Sequence, residues 1–229
     1  MLTWLWDVIS PKRCLECGKE GNYFCERCVG DLQVIDQICP VCANRATGGV
    51  VHKGCKSKWE MSGLVAVFGF GGVIRRALSR IKYRFVYAIV YDLAQVSVNF
   101  VTQNSPIYLD FMQFLDKKTI VTFIPSYWAR KRRRGFNQAE ELARELAKIW
   151  GTPCKDLLTK TRNIEQVGLS RKERIGNVIG AFSLKDVGKL SEKIVVVDDV
   201  WTTGATMREC IRVLRKGGAK TVWGFTIAR

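Results

Sequence analysis

Between Ile194 and Thr206 the chain reads I-V-V-V-D-D-V-W-T-T-G-A-T, and few architectures accommodate that order. Four β-branched aliphatic residues in a row read as a strand buried on both faces of a parallel sheet. Asp198 and Asp199 stand where the strand ends, and Thr202, Thr203, Gly204, Ala205 and Thr206 form a small, hydroxyl-rich turn. Beyond it Met207, Cys210, Ile211 and Leu214 keep helical spacing until Gly217-Gly218 stop the helix. The order strand, acidic pair, tight turn, helix predicts an α/β fold with a ligand site at the carboxyl end of a parallel sheet.

Such a turn suits an anion. Its amide hydrogens point outward, the helix dipole favours negative charge, the hydroxyls add donors, and Gly204 lets a phosphate approach the backbone. Two carboxylates beside a phosphate would repel it unless they serve ribose hydroxyls or a bound Mg²⁺. Phosphate, sugar diol and metal together point to a phosphorylated ribose. A strand capped by aspartate before an ordinary helix is the plainer alternative, but it requires neither two acids nor a T-T-G-x-T turn.

The stretch resembles the phosphoribosyl-pyrophosphate (PRPP) motif of type I phosphoribosyltransferases, which is carried on the last-but-one strand of that domain. The resemblance implies Thr202–Thr206 as the 5′-phosphate site, with Asp198 and Asp199 on the ribose hydroxyls.

The 229 residues leave room for one medium α/β domain and a small appendage. A net charge of +16 favours phosphate-rich partners, either nucleic acid or a polyanionic small molecule. No apolar run approaches the roughly 18 residues that would span a bilayer. Met1–Ser10 is apolar without a basic leader or a small-residue cleavage site, so a short helix and a cytoplasmic protein are expected.

Seven of the nine cysteines, and the single histidine, precede residue 56. They fall as Cys14-x2-Cys17, Cys25-x2-Cys28, Cys39-x2-Cys42 and His52-x2-Cys55. Each pair is a knuckle that brings two ligands to one metal, so the four supply two tetrahedral Zn²⁺ sites. The segments between them are too poor in apolar residues to fold without a staple. Sequential pairing makes two zinc ribbons in tandem; cross-bracing, first with third and second with fourth, is the alternative. Full coordination leaves no open position for catalysis. His52 is the weakest ligand of the second quartet, and a surface histidine is its plainer reading. Cys154 and Cys210 stand outside the array and are expected in the core. A zinc-ribbon domain over 1–60 and an α/β domain over 61–229 follow.

Within the second domain, Gly63–Gly69 is expected as a strand and Val73–Ile81 as an amphipathic helix leading to Lys82, a candidate phosphate contact. Tyr87–Val101 is expected as a core helix, Asn104–Lys118 as a connector, and Thr119–Ile124 as a buried strand ended by Pro125-Ser126. The next loop carries five consecutive cations, Arg130 to Arg134, before Gly135. It reads as a clamp over pyrophosphate, as a solvated turn, or as a single-stranded nucleic-acid contact flanked by Tyr127, Trp128 and Phe136. Gln138–Trp150 has a clean apolar face, an N-cap in Asn137 and a stop in Gly151. Leu157–Phe182 has little periodicity; Arg162, Gln166, Arg174 and Asn177 are its candidate ligand contacts. Val222–Ile227 is expected to close the sheet.

From Cys14 onward the chain resembles the ComF family of competence-associated proteins. The resemblance is carried by the tandem C-x2-C head, the I-K-Y turn, R-G-F-N-Q-A-E-E-L-A at Arg134–Ala143, K-T-R-N-I-E-Q-V-G-L-S-R-K-E-R-I-G-N-V at Lys160–Val178, and V-D-D-V-W-T-T-G-A-T. His52 departs from it, since the family often has cysteine there. The resemblance implies a zinc-finger domain fused to a type I phosphoribosyltransferase fold that binds PRPP with Mg²⁺. It also implies a role in natural transformation, handling single-stranded DNA at the cytoplasmic face of the membrane with a competence helicase as partner. Two functions fit. One is transfer of ribose 5-phosphate from PRPP to a nitrogenous acceptor, with Ser126, Lys82 and the Arg130–Arg134 loop holding pyrophosphate and metal. The other is a non-catalytic protein that binds single-stranded DNA or a partner and keeps the pocket as a sensor or relic.

Overall fold

The computed structural model describes residues 11–83, 87–127, 135–162 and 177–229. The expected helix over Met1–Ser10, the Arg130–Arg134 cations with Trp128, and Gln166 and Arg174 lie outside the described residues.

The head, 11–60, is mostly turns. It holds one short helix, α1 (Glu26–Gly30), and two single-turn helices at Thr47–Gly49 and Lys53–Cys55. The chain then enters β1 (Gly63–Phe68), α2 (Gly72–Tyr83), α3 (Tyr87–Gln103), α4 (Ser105–Phe114) and β2 (Ile120–Phe123). There follow α5 (Gln138–Trp150), β3 (Leu158–Lys160), β4 (Phe182–Leu184), β5 (Lys193–Val200), α6 (Ala205–Lys216) and β6 (Thr221–Ala228).

Strands β1, β6, β5 and β2, in that spatial order, form one wholly parallel sheet. In β5 the residues Ile194–Val197 are all fully buried, because a parallel strand is covered on both faces. Val195 pairs with Val121 on one side and Trp223 on the other, which puts the motif strand at the sheet's interior. The strand expected over Val222–Ile227 is present as β6, which sits between β1 and β5. Beyond β2, a short parallel bridge from Val121 to Cys154 extends the sheet.

Two expectations change. The stretch Asn104–Lys118 is not a connector but carries α4, with Pro106 in the first turn, where its missing N–H costs nothing. Tyr108, Phe111 and Phe114 recur at spacings of three, so α4 buries a stripe. Phe111 stands at the centre of an aromatic group, with ring centroids 5.8 Å from Trp150, 5.6 Å from Trp223 and 5.5 Å from Phe225. The stretch from Leu157 also begins and ends in structure: β3 and β4 pair antiparallel as a separate ribbon. Of the two isolated cysteines, Cys210 is fully buried and Cys154 only partly so.

Helix α5 matches its expected bounds because both ends are written into it. Asn137 Oδ1 accepts the Ala139 amide, and Gly151 terminates in the left-handed region at φ 65°. The Asn137 side chain also donates to the Ile124 carbonyl at 3.0 Å, tying the end of β2 to the start of α5.

Among the described residues, the head has no core of its own beyond the cluster of Cys14, Cys25 and Cys28. Leu15, Phe24, Ile38, Ala46 and Val51 pack into the same cluster as the sheet's aliphatic residues. Gln37, buried, inserts its amide against β1, accepting from the Ala66 N–H at 3.1 Å and donating to the Ala66 carbonyl at 2.9 Å. Gly49 passes so close to β1 that a Cβ there would lie 1.9 Å from the Leu64 carbonyl oxygen, and its φ is +71°. Nothing larger than hydrogen fits.

Candidate functional site

At the carboxyl ends of β5 and β2 the chain encloses a cavity of about 590 Å³. Its wall includes Asp198 and Asp199, the whole turn Thr202–Thr206, Ser126 after β2, and Lys82 from the last turn of α2. Asp198, Asp199, Thr202–Thr206, Ser126 and Lys82 are thus gathered in one space, while Arg134 lies outside the described residues.

The turn is built around Trp201. Its amide donates to the Ala228 carbonyl at 2.8 Å, anchoring it to β6, and its buried indole lies against Gly204. A Cβ on Gly204 would meet the indole at 2.1 Å, and the residue's φ of +70° is itself a glycine conformation. Thr203 Oγ1 accepts the Ala205 amide at 3.4 Å as α6 begins. The helix thus opens directly onto the cavity, where its dipole favours an anion.

The acids form the opposite pole. Asp198 Oδ1 accepts the Asp199 amide at 2.9 Å, and Asp199 Oδ1 accepts the Val200 amide at 2.8 Å, so both carboxylates are held by the backbone at the strand end. Burial pushes the Asp198 carboxyl well above the usual carboxylate range, and the neighbouring Asp199 charge pushes it the same way. A cation or hydroxyl donors between the two would relieve that cost. The acidic pair lines the cavity and fits Mg²⁺ or a diol.

Several lining residues were not singled out from sequence. Lys160, at the end of β3, adds a cation opposite Asp198, and Arg229 adds another beside Phe70. Gln138 Nε2 is buried in the wall without a hydrogen-bond partner among the described residues, a donor that a ligand oxygen would satisfy. Lys160 and Gln138 lie inside the quoted family segments, which is the one signal that pointed to them. Arg162 and Asn177 do not line the cavity; Arg162 instead donates to the carbonyls of Asn177 and Ile179.

In the head, the ligand atoms of Cys14, Cys17, Cys25 and Cys28 lie within 4.8 Å of one another, and so do those of Cys39, Cys42, His52 and Cys55. Both groups join sequential knuckles. A tetrahedral zinc with bonds of about 2.3 Å separates its sulfurs by roughly 3.8 Å. The Cys17–Cys25 sulfur pair stands at 3.6 Å, and Cys42 Sγ is 3.4 Å from His52 Nδ1. His52 Nε2 lies 3.1 Å from the Arg45 carbonyl, which can only accept, so the ring proton sits on Nε2 and the Nδ1 lone pair faces the sulfurs. The two groups could each hold zinc. The thiols are poised unequally. Burial acts to raise Cys14, yet backbone hydrogen bonds at Cys17, Cys25 and Glu16 outweigh it and bring the thiol down to about 6. Burial and the neighbouring sulfurs push Cys28 up to about 12.

Comparison with known proteins agrees with this geometry. Residues 132–228 match the family described as "Phosphoribosyl transferase domain". The chain is 29% identical to competence protein F of Haemophilus influenzae, over 94% of this chain and 90% of that protein. It is 28% identical to competence protein ComFC of Bacillus subtilis, over 95% of this chain and 88% of that protein. It is 30% identical to competence protein ComFC of Streptococcus pneumoniae, over 72% of this chain and 67% of that protein. Among the described residues, no helix is long and apolar enough to cross a membrane.

Proposed function

This chain belongs to the ComF family of competence proteins, and from that premise we propose that its cavity binds PRPP with Mg²⁺ in the service of DNA uptake. The single observation that carries the proposal is the shared cavity of Asp198, Asp199, Thr202–Thr206, Ser126 and Lys82. In it, the turn amides and hydroxyls hold the 5′-phosphate. Asp198 and Asp199 accept from the ribose 2′- and 3′-hydroxyls. Ser126, Lys82 and Arg134 hold the pyrophosphate, and Lys160 adds charge on the same side. Mg²⁺, when bound with PRPP, supplies charge neutralisation of the leaving pyrophosphate. Transfer of ribose 5-phosphate to a nitrogenous acceptor needs positioning and electrostatic stabilisation of an oxocarbenium-like centre rather than a protein nucleophile, and the cavity offers both. The head, 1–60, carries two structural Zn²⁺, and the body, 61–229, carries the pocket. The protein works in the cytoplasm, at the inner face of the membrane, beside a competence helicase.

A second reading is favoured by one surface. Trp59 is exposed, with Lys58 Nζ 4.7 Å and Lys216 Nζ 6.0 Å from its ring, a base-stacking platform flanked by cations. On this reading single-stranded DNA is the partner and the pocket a sensor. The double variant Asp198→Ala/Asp199→Ala separates the two. It removes PRPP binding and leaves the affinity for an oligo-dT probe unchanged or higher, since negative charge is lost. Loss of oligo-dT binding with PRPP binding intact would reverse the assignment.

A further inference from the structure

The head and the body are joined by arginines of the body that donate to head carbonyls, and two of them reach inside metal knuckles. Arg76, on α2, donates to the Leu15 carbonyl at 3.3 Å and the Glu16 carbonyl at 2.8 Å, within Cys14-x2-Cys17. Arg208, on the first turn of α6, donates to the Pro40 carbonyl at 2.9 Å, within Cys39-x2-Cys42. Of these two, Arg208 also reaches the ligand turn: its other terminal nitrogen donates to the Thr203 carbonyl at 3.3 Å. One planar guanidinium therefore bridges the second metal knuckle and the turn that lines the cavity.

The bridge has a directional consequence. The Thr203 carbonyl and the Gly204 amide belong to one peptide plane, in which C=O and N–H point in opposite directions. Holding the Thr203 oxygen toward Arg208 therefore aims the Gly204 N–H away from Arg208, and Gly204 lines the cavity. With φ at +70°, Gly204 is in a region that glycine leaves freely, so its peptide needs an external hold. Arg208 is in turn held at its far end. Pro40 is buried, and the knuckle is closed by the Ala43 amide on the Cys39 carbonyl at 2.8 Å and by the convergence of Cys39, Cys42, His52 and Cys55. A metal-closed knuckle of this kind loses its fixed shape when the metal leaves.

We infer that Arg208 is a positioning residue through which the second metal quartet orients the phosphate-binding turn, so that loss of zinc from the head degrades the pocket. The functional meaning of this coupling rests on the turn binding a 5′-phosphate, as proposed above; the coupling itself can be read without ligand. The first quartet has no such line to the turn, since Arg76 contacts neither Thr203 nor any residue of it among the described contacts.

Hydrogen exchange of the full-length, zinc-loaded protein, read on residues 201–206, tests it. Arg208→Ala with zinc content unchanged is expected to raise exchange of the turn about tenfold, the loss of a charge-assisted hydrogen bond. Chelation of zinc from the wild type should raise it at least as much. Arg76→Ala should leave the turn at wild-type exchange. Arg208→Lys, which can reach one carbonyl but not both, should fall between, and it carries the comparison should the alanine variant fail to fold. In solution, Arg208→Ala should weaken ribose 5-phosphate about tenfold while inorganic pyrophosphate changes less than twofold; a general loosening would weaken both. Unchanged exchange in the Arg208 variants, or an equal rise in Arg76→Ala, overturns the inference. A wild type that binds no ribose 5-phosphate would instead sink the functional reading, with the exchange comparison still deciding the coupling.

Discussion

In the head, residues 11–60, the side chains that converge are of metal-ligating type: seven cysteines and one histidine drawn into two groups. In the body they are rings and branched aliphatics, a continuous core from Leu64 to Ala228. The head's own apolar residues, Leu15, Phe24, Ile38 and Val51, are spent on the body's core, which leaves the first quartet as a small separate cluster of Cys14, Cys25 and Cys28. A chain segment of this size cannot bury enough surface to order itself. The head takes its seat from the body and carries two groups that could hold zinc at its local turns, whereas the body's sheet depends on packing alone.

Removing the metal is the strongest way to break that contrast. Structural zinc contributes on the order of 10 kcal/mol to the folding of such small units. Chelation should therefore expose the head, 11–60, to exchange and proteolysis while β5 and β6 stay protected. Metal analysis of the isolated protein should give two zinc per chain, falling to one in Cys39→Ala/Cys42→Ala. A body that unfolds together with the head would show that the two regions share one cooperative unit.

Within the body, Phe111→Ala removes the ring at the centre of the Trp150, Trp223 and Phe225 group and should cost about 3–5 kcal/mol in denaturant unfolding. Zinc content should not change. At the seam, Gln37→Ala strips β1 of a buried donor and acceptor pair at Ala66 and should cost about 2 kcal/mol. Its loss should appear as opening of the head, with the sheet unaffected.

The smallest effect distinguishes stability from function inside the cavity. The Asp198 carboxyl titrates above its unfolded value, so its contribution to stability is present below the unfolded pKa and lost as pH rises through the folded one. Asp198→Asn should then raise the melting temperature of the ligand-free protein at neutral pH and leave it nearly unchanged near pH 3. The same variant should lose ribose 5-phosphate binding. A lowered melting temperature at neutral pH would mean the carboxylate is stabilised in place.

Legibility followed the same divide. Helix α5 can be read from sequence because its caps, Asn137 and Gly151, and its stripe agree, and β5 can be read because an uninterrupted β-branched run has few other uses. The ligand knuckles are legible as spacing, although sequential grouping and the direction of His52 Nδ1 became visible only in three dimensions. Helix α4 was hidden because its polar positions and Pro106 look like a linker until Phe111 is seen against β6. Lys160 and Arg229 reach the cavity by topology, from a short ribbon and from just past the end of β6; the family segment that begins at Lys160 is its one local signal, and no pattern marks Arg229. The arginine seam was equally invisible, since carbonyl acceptors carry no sequence signature.

The proposed function requires the cavity at the end of β5 to take a phosphorylated ribose with a divalent cation. Calorimetric titration of the zinc-loaded full chain with PRPP, with and without Mg²⁺, tests it most directly. Saturable binding at one site per chain is expected, strengthened by Mg²⁺ and absent in Asp198→Ala/Asp199→Ala. No heat in either condition, or binding indifferent to both Mg²⁺ and the two aspartates, would contradict it.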